Sequence, residues 1–188
     1  MAPRILVLAS GSGTLLQALL DSPLEQFIVA VGSDRGDAGA LVRAANRGVA
    51  IFTVDPANFP ARTDWDSAIL DAAAAYDPDL VVSAGFMRIL APGFVTEFSG
   101  RIINTHPALL PSFPGAHAVR DALAAGVNET GCTVHYLDDG VDSGPIIAQV
   151  PVAIMPGDDE STLHERIKVA ERILLISVIT ELIGAIDE

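Results

Sequence analysis

Two polar side chains, Asn104 and His106, follow the apolar pair Ile102 and Ile103. On an extended strand, residues i and i+2 point to the same face, so this amide and this imidazole would lie side by side. A carboxamide can donate a hydrogen bond to a developing oxyanion, and an imidazole can move protons near neutral pH. The pair therefore suits acyl-type transfer to an amine. The alternative is an asparagine that only bonds loop backbone and a histidine that is packed in the core.

A stiff loop is predicted directly after this pair. Pro107, Pro111 and Pro114 forbid a regular helix or a central strand there. A donor amide and a titratable imidazole at a strand end, followed by a rigid loop, are typical of α/β enzyme active sites.

A third candidate, Asp142, lies in an acidic, glycine-containing loop between two strand-like runs at residues 132–137 and 146–152. A loop carboxylate can orient an imidazole, favour its protonated form, or hold a water for proton relay. Aspartates in such turns often only shape the turn, so a structural role stays open for Asp142 as well as for Asp138 and Asp139.

A glycine turn made of Gly11, Ser12, Gly13 and Thr14 separates a short apolar run from leucines at helical spacing. The exposed N–H groups of such a turn can bind a phosphate. The spacing matches neither the dinucleotide fingerprint nor the Walker A motif, since no lysine follows. A simple tight connection between strand and helix is the alternative.

Basic residues are scarce, because Lys and Arg together number 11 in 188 residues. Arg62 and Arg88 stand out because both lie in predicted strand-end loops, where a guanidinium could bind a ligand carboxylate in fork geometry. Solvated surface arginine is the alternative for each.

The remaining histidines and the single cysteine add little chemistry of their own. His117 lies in the proline-rich loop and could line the same pocket, whereas His135 and His164 look structural. Cys132 has no base nearby in sequence and is interpreted as a core residue. No grouping of histidine and acidic residues has the spacing of a metal site, so no metal is expected.

The overall composition excludes several classes of protein. Half of the residues are hydrophobic, 19% are charged, and the formal net charge is −13, which argues against global disorder and against a nucleic-acid binder. One cysteine allows no intrachain disulfide, and the longest apolar run is far shorter than the ~20 residues of a membrane helix. The start of the chain lacks the features of a signal peptide. We therefore expect a soluble cytoplasmic protein without a membrane partner.

Short apolar runs alternate with helical patterns over the first half of the chain. We predict strands at residues 5–9, 27–31, 51–54, 80–84 and 101–105, and helices at about 15–20, 38–47, 64–76 and 92–98, the third capped by Asp64. The second half predicts a helix at 118–125, the two strands already named, and a final helix to about Ile183 after a capping segment at 158–162. This pattern predicts an α/β fold with a doubly wound, mostly parallel sheet of the Rossmann-like type, in one domain spanning 1–188.

Several motifs occur together, in order, over nearly the whole chain. They are residues 9–14 (ASGSGT), 84–90 (AGFMRIL), 104–107 (NTHP), 109–111 (LLP), 113–115 (FPG) and 142–146 (DSGPI). This combination resembles the folate-dependent formyltransferases.

The resemblance implies an activity and a catalytic trio. Asn104 would hold the developing oxyanion, charged His106 would assist it, and Asp142 would sustain that charge and help relay a proton to the leaving nitrogen. The formyl donor would be 10-formyltetrahydrofolate, and the acceptor would be the amine of N1-(5-phospho-D-ribosyl)glycinamide in purine biosynthesis. No metal would take part.

The resemblance also implies two binding regions, a nucleotide-phosphate half at about 1–100 and a catalytic and folate half at about 101–188. The substrate phosphate would lie on Gly11, Ser12, Gly13 and Thr14, and the amine end near Glu171. Folate would contact Arg62, Met87, Arg88, Ile89, Leu90, Asp138 and Val141, with Arg62 at its glutamate tail. Many relatives carry Asn where this chain has Leu15, so one polar side chain is missing at the phosphate end.

Two alternatives stay open at this point. A 10-formyltetrahydrofolate hydrolase would use the same trio with water as acceptor, although such enzymes usually carry an additional N-terminal domain. A non-catalytic nucleotide-binding module on the same scaffold is the second alternative. A homodimer is compatible with either.

Overall fold

Seven strands form the centre of the protein, which is described by a computed structural model over residues 2–185. The strands are β1 (Ile5–Leu8), β2 (Ile28–Ser33), β3 (Ala50–Thr53), β4 (Leu80–Ser83), β5 (Ile102–His106), β6 (Glu129–Tyr136) and β7 (Ile146–Ala153). They make one sheet in the order β3-β2-β1-β4-β5-β6-β7. The predicted domain 1–188 extends to Met1 and to residues 186–188, which lie outside the described residues.

The sheet is parallel from β3 to β5 and antiparallel from β5 to β7. The central strands β1 and β4 are buried at every position, as expected for parallel strands that are covered on both faces. The predicted doubly wound, mostly parallel α/β fold is therefore confirmed. One sheet runs through both halves of the chain, and the assignment of the halves to different ligands stays a prediction.

Within residues 2–185, six α-helices cover the two faces of the sheet. They are α1 (Thr14–Leu20), α2 (Gly39–Asn46), α3 (Arg62–Ala74), α4 (Pro92–Glu97), α5 (Ala118–Ala124) and α6 (Glu160–Gly184). Helices α1, α2, α5 and α6 share one hydrophobic cluster with Ile5 and Val7, whereas α3 and α4 share the other with Leu6 and Leu8. Because successive strand residues point to opposite faces, β1 alone supplies both layers of the core.

The starts of two elements differ from the prediction by two residues or more. Asp64 does not cap α3, which begins at Arg62 after the extended residue Ala61, so Asp64 lies in the first turn. The Arg62 guanidinium bonds Asp66 and the distant Ile89 carbonyl, and this tertiary contact holds the helix start two residues earlier. Strand β6 begins at Glu129 and not at Cys132, because Glu129 pairs with β7.

The final helix is confirmed in both position and capping. Helix α6 runs from Glu160 to Gly184, and Asp159 and Thr162 form a reciprocal capping box at its start. Each side chain satisfies the backbone N–H of the other, which stabilises the first turn. Within residues 2–185, none of the helices is both long enough and apolar enough to span a bilayer.

Strand β7 is the outer strand of the sheet and contains Pro151, which pairs with Gly131 of β6. Just beyond the strand, the Ile154 N–H donates to the Asn128 carbonyl on the side of β6. Backbone N–H groups alternate in direction along a strand, so the nitrogen of Pro151 faces outward. Proline is tolerated there because it removes no hydrogen bond to β6.

Candidate active site

One large cavity of about 460 Å³ opens at the carboxyl ends of β1, β4 and β5 and reaches across to α6. It is lined by residues 11–15, 83–90, 104–107, 115–116, 135, 137–142, 164, 168 and 171. Carboxyl ends of parallel strands are where open α/β sheets bind ligands. All of the predicted site residues line this cavity except Arg62.

The predicted amide and imidazole lie at the end of β5. His106 is buried, with 4% of its surface exposed, and its Nε2 is 2.8 Å from the Phe113 carbonyl oxygen. Its Nδ1 is 3.3 Å from Oδ2 of Asp142. A carbonyl oxygen only accepts hydrogen bonds, so Nε2 carries a proton. Both ring nitrogens therefore face acceptors, the Phe113 carbonyl and the Asp142 carboxylate.

Asp142 reaches this imidazole from the loop between β6 and β7, with a left-handed backbone at φ 53°. Its Oδ2 accepts a hydrogen bond of 2.8 Å from the Gly115 N–H, and its Oδ1 is 3.7 Å from His135 Nε2. The His135 ring lowers the pKa of the Asp142 carboxyl, the Gly115 amide and His106 add to this effect, and burial opposes it. Asp142 is therefore held as a carboxylate beside two histidines.

His135 was predicted to be structural, and it is indeed a buried strand residue with 2% of its surface exposed. It pairs with Asn104 across β5 and β6, and its Nε2 is 3.3 Å from Asn104 Nδ2. Its Nδ1 lies 2.9 Å from the Tyr136 carbonyl, so Nδ1 carries a proton, and its Nε2 lies between the Asn104 amide and the Asp142 carboxylate. His135 thus orients Asn104, a role that the sequence did not indicate.

A row of polar side chains from α6 forms the far wall of the cavity. His164, Lys168 and Glu171 recur at helical spacing and all line it. Glu171 is 5% exposed, and its burial raises the pKa of its carboxyl to about 7 against the opposing effect of Thr105. Burial, followed by the charge of Lys168, lowers the pKa of His164. His164 and Lys168 were not predicted as cavity residues, although their spacing from Glu171 was a usable signal.

The glycine turn lines the same cavity. Gly13 has φ 74°, and a Cβ there would come within 2.6 Å of the Ala40 backbone. Glycine is therefore required both by the backbone conformation and by the close approach of α2. The Ser12 carbonyl accepts a hydrogen bond from Arg43 Nε at 2.7 Å, which fixes the turn. Leu15 lines the cavity beside this turn.

The rim of the cavity is apolar and unusually exposed. Met87, Ile89 and Val141 have 74%, 69% and 56% of their surfaces exposed, whereas Leu90 beside them is buried. Exposed apolar side chains that cluster at a cavity mark a ligand-binding surface. Asp138 joins them and accepts from the Ser143 hydroxyl at 2.9 Å.

The two predicted arginines and His117 have different surroundings. Arg88 lines the cavity and pairs with Asp34, Nε to Oδ2, at 2.7 Å. Arg62 pairs with Asp66 at 2.6 Å and lies over the Trp65 ring; it does not line the cavity itself but donates to the carbonyl of Ile89, which does. Its assignment to a ligand tail stays a prediction. His117 precedes α5 and does not line the cavity either.

The sequence model of the formyl transferase family matches residues 3–179. The chain belongs to this family.

Relatives of this formyl transferase share much of its sequence. A phosphoribosylglycinamide formyltransferase of Mycobacterium tuberculosis is 57% identical over 182 residues, covering 95% of this chain and 84% of that protein. The trifunctional purine biosynthetic protein adenosine-3 of Drosophila pseudoobscura pseudoobscura is 45% identical over 174 residues. That match covers 89% of this chain and 13% of the longer protein.

Solved structures of similar proteins have the same fold as this formyl transferase. Glycinamide ribonucleotide transformylase 1 from Symbiobacterium toebii superimposes with a TM-score of 0.94 at 44% identity, covering 97% of this chain and 88% of that chain. In the part of the formyl transferase that the structure describes, no three histidine, cysteine or acidic side chains are grouped closely enough to hold a metal ion.

Proposed function

We propose that this formyl transferase transfers the formyl group of 10-formyltetrahydrofolate to the amine of N1-(5-phospho-D-ribosyl)glycinamide, a step of de novo purine biosynthesis. The observation that carries the proposal is the buried contact between His106 and Asp142, beside Asn104, in a cavity that also holds a glycine turn and an apolar rim. The relatives named as phosphoribosylglycinamide formyltransferases support the same acceptor.

Asn104, His106 and Asp142 each have a defined role in the transfer. The amine lone pair of the acceptor attacks the formyl carbon, the bond from that carbon to N10 of the folate breaks, and the proton lost by the amine ends on N10. Asn104 Nδ2 has a second N–H besides the one directed at His135, and it donates to the oxygen where negative charge develops. The charged His106 stabilises the same oxygen, and Asp142 stabilises that imidazolium.

One local change must precede catalysis in this scheme. His106 Nε2 donates to the Phe113 carbonyl, so it is not free to donate to a substrate in this conformation. A bound formyl oxygen would replace that carbonyl, or the loop carrying Phe113 would shift. Hydrogen bonds in unliganded active sites are often arranged differently from those of the reacting complex.

The two substrates bind to different parts of the cavity. The phosphate binds to backbone N–H groups of Gly11, Ser12, Gly13 and Thr14, and Lys168, which lines the same cavity, supplies positive charge. Glu171 lies near the amine end. The pterin and its side arm cover the apolar rim of Met87, Ile89, Leu90 and Val141, next to Arg88 and Asp138, and Arg62 is the candidate for the glutamate tail. The exposure of the rim fits a flat, partly apolar ligand.

Acceptor dependence tests the proposed function. Purified protein is mixed with 10-formyltetrahydrofolate with and without phosphoribosylglycinamide, and the formylated amide and free tetrahydrofolate are quantified. We expect one folate released per amide formed, and release without acceptor slower by roughly 10² or more, because the positioned amine is the nucleophile. Equal release in both mixtures would assign the chain to the hydrolases instead.

The proposal includes the setting of the reaction. We place the enzyme in the cytoplasm, in keeping with its single buried and unpaired Cys132. Its partners are the two small-molecule substrates, without nucleic acid or membrane, and a homodimer is compatible with the proposal. Sedimentation at micromolar concentration would establish the oligomeric state.

A further inference from the structure

The loop at residues 107–115 follows β5 and contacts both members of the pair formed by His106 and Asp142. Its Phe113 carbonyl accepts from His106 Nε2 at 2.8 Å. Its Gly115 N–H donates to Asp142 Oδ2, also at 2.8 Å. The position of this loop therefore affects where the imidazole and the carboxylate lie.

The loop has few backbone hydrogen bonds of its own. Its three prolines carry no N–H. In the described part of the chain, the bond from the Ser112 N–H to the Leu109 carbonyl is the one backbone hydrogen bond that joins two residues of the loop. Side chains from other elements must therefore hold the loop in place.

Two polar side chains of the outer strands hold the start of the loop. Thr133 of β6 is 0% exposed, and its hydroxyl donates to the Ala108 carbonyl at 2.6 Å and accepts from the Leu110 N–H at 3.1 Å. The amide nitrogen of Gln149, on β7, donates to the Thr133 hydroxyl and to the Leu110 carbonyl, both at 2.9 Å. Among residues 2–185, Gln149 is the only donor to that carbonyl.

The orientation of the Gln149 amide follows from its partners. The Thr133 hydroxyl donates its single proton to Ala108, so towards Gln149 it can only accept. The Leu110 carbonyl can also only accept. Both N–H bonds of the amide are therefore used, although Gln149 itself lies exposed on an outer strand. A side chain without a donor at this position would leave the carbonyl without its partner.

The register of the sheet places Gln149 in line with the catalytic histidine. His106 lies directly opposite Thr133, and Thr133 lies directly opposite Gln149. Residues that lie opposite one another point to the same face of a sheet, and the loop after His106 folds back over this row. Leu109 packs on Gly131 of β6, where a Cβ would come within 2.7 Å of the leucine side chain. The loop thus has an apolar contact with β6 beside the polar ones.

We propose that Gln149 is a positioning residue for formyl transfer: it fixes the start of the loop, and the fixed loop keeps Asp142 beside His106. Gln149 does not line the active-site cavity, so its effect on the reaction is indirect. This inference rests on the roles of His106 and Asp142 in the proposed function. Because the hydrogen bonds end at Leu110, the Phe113 carbonyl keeps the freedom to leave His106 when substrate binds.

Steady-state kinetics of Gln149→Met test this role, since methionine has a similar length but no hydrogen-bond donor. We expect kcat to fall about tenfold, the rate equivalent of roughly one net hydrogen bond, because the less ordered loop places the catalytic pair correctly in fewer molecules. The KM of each substrate should change by less than about twofold. A fall in kcat of less than about threefold would overturn the proposal.

Gln26→Met is the matched control. It removes a hydrogen bond of the same kind, from a glutamine amide to the Pro23 carbonyl, and Gln26 does not line the cavity. Both kinetic constants should stay at their native values. An equal fall of kcat in the two variants would overturn the proposal, because the effect would then not depend on the loop.

Amide hydrogen exchange shows whether the effect passes through the loop. In Gln149→Met the N–H groups of Leu110 and Gly115, which donate to Thr133 and Asp142, should exchange roughly tenfold faster than in the wild type. The amides of β1 should exchange at the native rate. Unchanged exchange at both loop positions, or an equal increase in β1, would overturn the proposal, since the second result indicates general destabilisation.

Gln149→Glu is a second and independent variant. Its carboxylate has the native length but sets acceptors against the Leu110 carbonyl and the Thr133 hydroxyl, so kcat should fall at least as far as in Gln149→Met. A native kcat in Gln149→Glu would overturn the proposal.

The exchange measurement also separates this inference from the proposed function, because it needs no substrate. If the wild type transfers no formyl group to the acceptor, the proposed function fails. Faster exchange at Gly115 in Gln149→Met would then still support the hold of Gln149 on the loop, and unchanged exchange would overturn it.

Discussion

The catalytic cluster consists of Asn104, His106 and Asp142 with His135 beside them, and the apolar rim consists of Met87, Ile89 and Val141. The two share one cavity but differ in how they are built. His106 and His135 are 4% and 2% exposed and have a polar partner within 3.3 Å of each ring nitrogen, whereas Met87 and Ile89 are 74% and 69% exposed. Polar groups that are already oriented cost little reorganisation during the reaction. Apolar side chains gain their stabilisation only when a ligand covers them. The difference predicts that changes in the cluster affect kcat and changes in the rim affect KM.

The largest effect is expected at the cluster. His106→Ala should lower kcat by about 10²–10⁴-fold, because it removes a group that stabilises charge and moves protons mainly in the transition state. The KM of both substrates should change by less than about threefold. Steady-state kinetics with each substrate varied in turn will measure both. A kcat within tenfold of the wild type would remove His106 from the mechanism.

Asp142→Asn should lower kcat by about 10²-fold, since a neutral amide cannot stabilise the imidazolium. The pKa of Asp142 lies below its ordinary value, so the native carboxylate is charged throughout the pH range of the assay. Steady-state kinetics at one pH between 6 and 8 therefore compares a charged side chain with a neutral one. Asp139→Asn is the matched control, because it removes the same charge from an exposed position in the same loop. Similar losses in both variants would point to loop charge and not to contact with His106.

Glu171 shows what the burial of a polar group in this cavity costs. Its pKa is raised to about 7, so the folded protein binds more protons than the unfolded chain between about pH 4.5 and 7. Stability therefore falls as pH rises through this window and is constant above it. Relative to Glu171→Gln, the wild type should lose up to about 3 kcal/mol across the window. Urea unfolding of both proteins at intervals of pH measures this difference, and parallel curves would contradict it.

The smallest effect is expected at the rim. Ile89→Ala should raise the KM for the folate substrate about fivefold and leave kcat unchanged, because it removes apolar area that the ligand covers. Val42→Ala removes a similar area from an exposed site on α2 that does not line the cavity, and it should change neither constant. A fall in kcat with unchanged KM in Ile89→Ala would end the distinction between rim and cluster.

The residues that sequence alone could find are those whose relationship is local. Asn104 and His106 share one strand face because they are two residues apart, and the apolar runs locate the strands for the same reason. His135 could not be found in this way. Its contact with Asn104 depends on the register between β5 and β6, which no local pattern specifies.

Long-range contacts also explain why the start of α3 was predicted wrongly and why sequence alone left the roles of Asp142 and Glu171 open. Asp142 reaches His106 only because its loop folds back onto the Gly115 amide. The start of α3 is set by the bond from Arg62 to the Ile89 carbonyl, not by the capping propensity of Asp64. Glu171 was placed near the substrate by family resemblance, but its burial follows from the packing of α6 against β6 and β7.

The outward nitrogen of Pro151 limits how copies of this protein can associate. An approaching strand would find one donor missing in the middle of the free edge, so extension of the sheet across β7 would leave a carbonyl of the newcomer unpaired. A homodimer that uses this edge must therefore be built from side-chain packing rather than from a continuous sheet. The same gap disfavours edge-to-edge aggregation across β7.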